Sequence, residues 1–103
     1  MPRPPLLSPD EAATALSALP LWSGGTDGIE RTLTLPTFRA AAEAISMIAD
    51  VAEQLDHHPD LDLRWTAVRV AVVTHSAGGL TELDLDLARR VDELFPAQPA
   101  SGA

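Results

Sequence analysis

Between Pro36 and Pro59 the chain runs without glycine or proline, and this stretch constrains the fold more than any other. Phe38, Ala41, Ala42, Ile45, Ile48, Ala49, Ala52 and Leu55 recur three or four residues apart, which predicts a helix over 38–55 with one apolar stripe. Thr37 offers a side-chain oxygen to the first free N–H groups, and Pro59 disfavours helical backbone at His58. A long helix with a single apolar face needs a layer to cover it. The sequence on either side supplies one, as two pairs of strands.

Residues 1–7 are Pro-rich and read as a flexible N-terminal arm, with no apolar run long enough for a signal peptide. Ser8-Pro9-Asp10-Glu11 has the spacing of a capping box with proline at the first helical position, and Leu16 and Leu19 with Ala12 and Ala15 give a short packing helix that Pro20 ends. Leu21-Trp22-Ser23 reads as a first strand, Gly24 to Gly28 as a turn, and Ile29 to Leu35 as a second strand. Ile29, Leu33 and Leu35 share its apolar face, with Arg31 out of pattern. Leu61, Leu63 and Trp65 alternate with Asp62 and Arg64 as a third strand, which puts Trp65 in the core; Ala67 to Thr74 is a Val-rich fourth. Thr81 and Asp84 repeat the capping-box spacing, Leu80 and Leu85 fit a hydrophobic staple, and Leu83, Leu87, Val91 and Leu94 line the last helix, which runs to about Phe95. Residues 96–103 read as a disordered tail. The order α-β-β-α-β-β-α predicts one α+β domain over 8–95, a four-stranded antiparallel sheet with helices packed on one face.

Composition narrows the function. Seven arginines, no lysine and a net charge of −8 argue against a nucleic-acid partner, which calls for a basic surface. There is no cysteine, hence no thiolate chemistry, and no apolar run approaches membrane-spanning length. The expected location is cytoplasmic. A domain of this size leaves apolar surface for a subunit interface.

All three histidines, His57, His58 and His75, lie between Glu53 and Asp84. Imidazole changes protonation near neutral pH, so such a set can give a proton to a leaving group and take one from elsewhere on the same substrate, as elimination of water requires. Three imidazoles also suit zinc, although adjacent His57 and His58 would have to bend toward one ion. Each residue has a purely structural reading as well. His57 and His58 can close a helix, Glu53 can be an exposed helix residue or orient His57 four residues on, and Asp84 is fully explained as a capping acid. Gly78 and Gly79 read as turn residues.

Taken together, Glu53-x-x-x-His57-His58-Pro59, then Trp65, His75 and Asp84, resemble the signature of the pterin-4a-carbinolamine dehydratases. Thr74-His75-Ser76-Ala77-Gly78-Gly79-Leu80-Thr81-Glu82-Leu83-Asp84 is similar to the family's T-H-x-x-G-G-L-T-x-x-D run, and Leu19-Pro20-Leu21-Trp22 to its L-P-x-W. The resemblance implies the α+β fold above and dehydration of 4a-hydroxytetrahydropterin to quinonoid dihydropterin, without metal or organic cofactor. It implies that His57, His58 and His75 surround the pterin as catalytic residues, with Glu53, Pro59, Trp65, Thr74 and Asp84 binding or supporting. It further implies homodimers or homotetramers and a link to an aromatic amino acid hydroxylase whose tetrahydrobiopterin is recycled. Relatives that serve as dimerisation partners of a transcription factor supply an alternative, a non-catalytic interaction module; a role in molybdopterin metabolism is another. Leu61 and Asp62 stand where many members carry two bulky aromatics, a departure that bears on the pocket wall and the pterin side chain.

Overall fold

The computed structural model describes residues 4–97. Seven elements follow one another: α1 (Pro9–Ser17), β1 (Ser23–Gly25), β2 (Gly28–Thr34), α2 (Phe38–Leu55), β3 (Asp60–Arg64), β4 (Ala67–Val72) and α3 (Glu82–Leu94). The strands form one antiparallel sheet in the order β1-β2-β4-β3, with the helices on one face. The predicted α+β architecture is thus the observed one. Ile29 and Leu33 of β2 and Val68, Val70 and Val72 of β4 point into the helix layer and meet Ile48 of α2 and Leu85, Leu87 and Val91 of α3 in the core. Each such fully buried aliphatic side chain stabilises the fold by about 1.5–3 kcal/mol. No helix among the described residues is long and apolar enough to cross a membrane.

Local signals explain the ends of the helices. Ser8 caps α1 with a complete capping box: its N–H donates to Glu11 Oε1 at 2.8 Å, and its Oγ accepts from Glu11 N at 3.1 Å. Hydrogen bonding from Ser8, its backbone N–H foremost and then its side chain, holds the Glu11 carboxyl below the usual glutamate range. Thr37 Oγ1 accepts from Ala40 N at 3.0 Å to open α2. Asp56, in left-handed conformation with φ 50°, closes it, and His57 N–H reaches back to Ala52 O at 3.0 Å. That is a Schellman-type ending in which an aspartate takes the place more often held by glycine.

The structure corrects the sequence reading at several points. β1 begins at Ser23 rather than Leu21 and contains Gly24 and Gly25, so the turn to β2 is Thr26-Asp27 alone. A Cβ on Gly24 would lie 2.2 Å from Gly28 O, so glycine is needed there for close approach of two strands rather than for the turn. Arg31, out of pattern in the sequence, sits on the inward side of β2 between Ile29 and Leu33, its side chain only 9% exposed. Asp92 of α3 accepts from Arg31 Nη1 at 2.5 Å and from Trp22 Nε1 at 2.9 Å. The charge is tolerated at the core margin because it is paired and hydrogen-bonded there.

The apolar stripe of α2 is rotated from the predicted one. Ala41, Ala44, Ile48, Val51 and Ala52 are buried, whereas Phe38, Ala42 and Ala49 are exposed. In α3, Leu85 and Ala88 are buried, while Leu83 and Leu94 remain exposed. β3 ends at Arg64, and Trp65 is not in the core: it is 80% exposed, with φ 52°, at the first position of the two-residue turn Trp65-Thr66. In the N-terminal arm, Leu7 is tied down by its N–H donating to Leu80 O at 2.9 Å; residues 1–3 and 98–103, which carry the start of the arm and most of the expected tail, lie outside the described residues.

Candidate active site

The end of α2, the segment after β4 and the first turn of α3 converge on the Asp84 carboxylate. Asp84 is the third residue of α3 and completes its capping box, so helix geometry alone directs the side chain back over the helix N-terminus. Its Oδ2 accepts from Thr81 N at 2.8 Å and from Thr74 Oγ1 at 2.9 Å. Its Oδ1 lies 2.6 Å from His57 Nε2. The carboxylate is wholly buried and the imidazole 11% exposed. Capping and histidine pairing, alternatives in the sequence, are performed by the two oxygens of one residue.

A carboxylate can only accept, so a neutral His57 donates its Nε2–H to Asp84 Oδ1 and keeps its lone pair on Nδ1. The pair can therefore take up a proton at Nδ1 and stabilise the imidazolium that results.

His58 faces solvent. Its Nε2 lies 2.6 Å from Glu53 Oε2, and the two side chains are 56% and 76% exposed. The sequence pairs Glu53 with His57 by helical spacing; in the fold Glu53 pairs with His58 instead. The left-handed residue Asp56 ends the helix before that spacing is complete and turns His57 toward α3. Pro59, half-buried, then directs the chain into β3.

His75 is exposed and follows Thr74 directly, so its backbone starts one residue from the Asp84 cluster. Its loop is closed by the bridge between Thr74 and Gly79, with Gly78 at φ 81° making the turn. Gly79 is more than a turn residue. A Cβ there would lie 2.7 Å from Thr26 O, and Leu80 N–H donates to that same oxygen at 2.9 Å, so the β1–β2 turn braces the loop that carries His75.

Trp65 stands apart. The six residues of β4 separate its turn from Thr74, a span of about 20 Å at strand rise. The fold thus gathers His57, His58, Glu53, Pro59, Thr74, His75 and Asp84 at one end of the sheet and puts Trp65 at the other. Leu61 packs on the core and Asp62 pairs with Arg64 at 3.3 Å. Thr81 was legible only as a cap; its hydroxyl also lies 2.7 Å from Thr74 Oγ1. Among the described residues, no three His, Asp or Glu side chains converge closely enough to hold a metal ion.

Comparison with known proteins identifies the family. Residues 5–94 match the family described as pterin 4 alpha carbinolamine dehydratase. A protein of Nocardia farcinica provisionally named pterin-4-alpha-carbinolamine dehydratase is 49% identical over 89 residues, 86% of this chain and 94% of its own. A likewise provisionally named protein of Mycolicibacterium smegmatis is 40% identical over 90 residues, 87% of this chain and 96% of its own. The crystal structure of a transcriptional coactivator/pterin dehydratase from Brucella melitensis superposes with a TM-score of 0.80 at 36% identity, covering 85% of this chain and 96% of that one. With the match spanning nearly the whole domain and relatives well above the level at which fold and family diverge, the chain belongs to the pterin-4a-carbinolamine dehydratase family.

Proposed function

We propose that this protein dehydrates a 4a-hydroxytetrahydropterin to the quinonoid dihydropterin, using its histidines as acid and base. The observation that carries this reading is the His57–Asp84 pair, a nearly buried imidazole held through Nε2 by a wholly buried carboxylate. In the proposed mechanism His57 Nδ1 takes the proton from N5 of the pterin, and His75 protonates the hydroxyl on C4a. Water leaves, the C4a–O bond breaks and a C4a=N5 double bond forms. Asp84 stabilises the His57 imidazolium until the proton is returned to solvent. His58, oriented by Glu53, binds the pterin. Acid–base help of this kind is worth roughly 10²–10⁴-fold, which suffices for a reaction that also proceeds unaided.

In this reading the substrate is the carbinolamine left by an aromatic amino acid hydroxylase, the protein acts in the cytoplasm, and tetrahydrobiopterin recycling is the process served. The interaction-module alternative finds support in the coactivator name of the Brucella protein. The His57–Asp84 pair favours catalysis, because an interaction surface has no use for an oriented imidazole. Titration with a 7,8-dihydropterin, followed through the imidazole resonances, tests the site. All three histidines are expected to shift; unchanged His57 and His75 resonances at saturating pterin would remove the substrate from this site.

The proposed assembly is a homodimer or homotetramer. Its support is the outer side of α2, where Phe38 is 56% exposed and Ala42, one turn on, faces out beside it. Sedimentation is expected to show an oligomer that Phe38→Glu with Ala42→Glu converts to monomer; a wild-type monomer at tens of micromolar would contradict it.

A further inference from the structure

Thr74, Thr81 and Asp84 are buried, and among the described residues no buried side-chain polar atom lacks a partner. Their distances admit one arrangement of protons. Asp84 Oδ2 accepts from Thr81 N–H at 2.8 Å, so it is an acceptor, and Thr74 Oγ1, 2.9 Å away, must give it the only proton a threonine hydroxyl has. In the 2.7 Å contact between the two hydroxyls Thr74 therefore accepts and Thr81 donates. Thr81 Oγ1 in turn accepts from Leu83 N–H at 3.2 Å. The bonds run one way, from the N-terminus of α3 through Thr81 and Thr74 to the carboxylate.

We infer that the Thr81 and Thr74 hydroxyls form a directed chain that fixes the rotation of the Asp84 carboxylate, and through it the orientation and Nε2–H tautomer of His57. The two threonines are positioning residues for the dehydration, and Thr81 has this role besides capping α3. With Oδ2 saturated, Oδ1 is held against His57 Nε2 and Nδ1 is the free ring nitrogen. Without the Thr74 hydroxyl, Oδ2 keeps a single donor, the carboxylate can rotate, and the tautomer is no longer imposed. Hydrogen bonds in such a chain polarise one another, so removal of one weakens the rest.

The kinetic consequence rests on the dehydratase reading, and the test keeps the two apart. Thr74 caps no helix, so Thr74→Val removes the hydroxyl from the chain at nearly constant volume; Thr74→Ala serves if the valine variant does not fold, and Thr74→Ser restores the hydroxyl. Imidazole ¹⁵N resonances report the His57 tautomer, and stopped-flow absorbance reports kcat and KM for 4a-hydroxytetrahydropterin. The expected result is an Nε2–H tautomer in wild type and Thr74→Ser, a mixture of tautomers in Thr74→Val, and a fall in kcat of roughly 10- to 100-fold with KM within about twofold. Thr74→Ser stays within about twofold of wild type on both parameters. Unchanged tautomer and kcat in Thr74→Val, or no rescue by serine, would overturn the inference. If wild type gave no acceleration while Thr74→Val still lost the tautomer, the chain would stand and the dehydratase reading would fail.

Discussion

His57→Ala is expected to lower the catalysed rate of carbinolamine dehydration by about 10²–10³-fold, to near the spontaneous rate, with a folded protein remaining. The size follows from the place of this imidazole. It is the histidine held on two sides, by the turn after α2 through its N–H and by Asp84 through its ring, so its free nitrogen has a defined direction. Truncation removes the base, which is also the group that would carry the proton. It also leaves Asp84 Oδ1 short of a buried partner, which costs about 1–3 kcal/mol, so thermal denaturation should accompany the kinetics. His58→Ala provides the contrast. An exposed side chain paired with an exposed Glu53 contributes little to stability, and its loss is expected to raise KM several-fold with a smaller change in kcat. Equal kcat losses at positions 57 and 58 would contradict the assignment of roles.

Asp84→Ala is expected to be the most destabilising single change at the site. It removes the capping acid of α3 and leaves the Thr74 hydroxyl, the Thr81 N–H and His57 Nε2 without their acceptor, all in a buried cluster. Loss of a cap costs about 1 kcal/mol, and each stranded buried donor about 1–3 kcal/mol before relaxation. Together these amount to on the order of 3–5 kcal/mol, and for a domain of this size a melting temperature lower by roughly 15–30 °C. Asp84→Asn separates stability from chemistry. Its amide oxygen can serve Thr74 and Thr81, but its NH₂ then faces His57 Nε2, which must become an acceptor and move its proton to Nδ1. Activity is therefore expected to fall about 10²-fold or more while the melting temperature falls much less than in Asp84→Ala. A fully active asparagine variant would show that the carboxylate is only a cap.

The elements and their order were legible because they are written in local chemistry: Ser8, Thr37 and Thr81 as caps, alternating Val68, Val70 and Val72, and the Pro59 that forbids helix before it. The misreadings have equally local causes. Two adjoining alanine-rich arcs of α2 each satisfy helical spacing, and only the sheet decides that Ala44 and Val51 lie against it rather than Ala42 and Ala49. Trp65 continues the alternation of Leu61 and Leu63, yet the chain reverses there at positive φ, which a tryptophan seldom adopts. The pairing of the histidines was hidden for a different reason. Glu53 and His57 have the spacing of a helical pair, but a left-handed aspartate intervenes, and the partner of His57 lies 27 residues on, in the first turn of α3. Arg31 and Trp22 likewise find Asp92 at 61 and 70 residues. Spacing rules reach one turn of helix or one strand pair; such contacts depend on how the layers close.

The central claim is that the histidines at this end of the sheet, His57 foremost, dehydrate a pterin carbinolamine. Stopped-flow ultraviolet absorbance of 4a-hydroxytetrahydropterin decay, with and without the wild-type protein and in the presence of EDTA, addresses it most directly. The account predicts a clear acceleration that survives the chelator and is lost in His57→Ala and His75→Ala. Decay at the spontaneous rate with wild type present would contradict the dehydratase reading, and activity abolished by EDTA alone would replace the acid–base mechanism with a metal-dependent one.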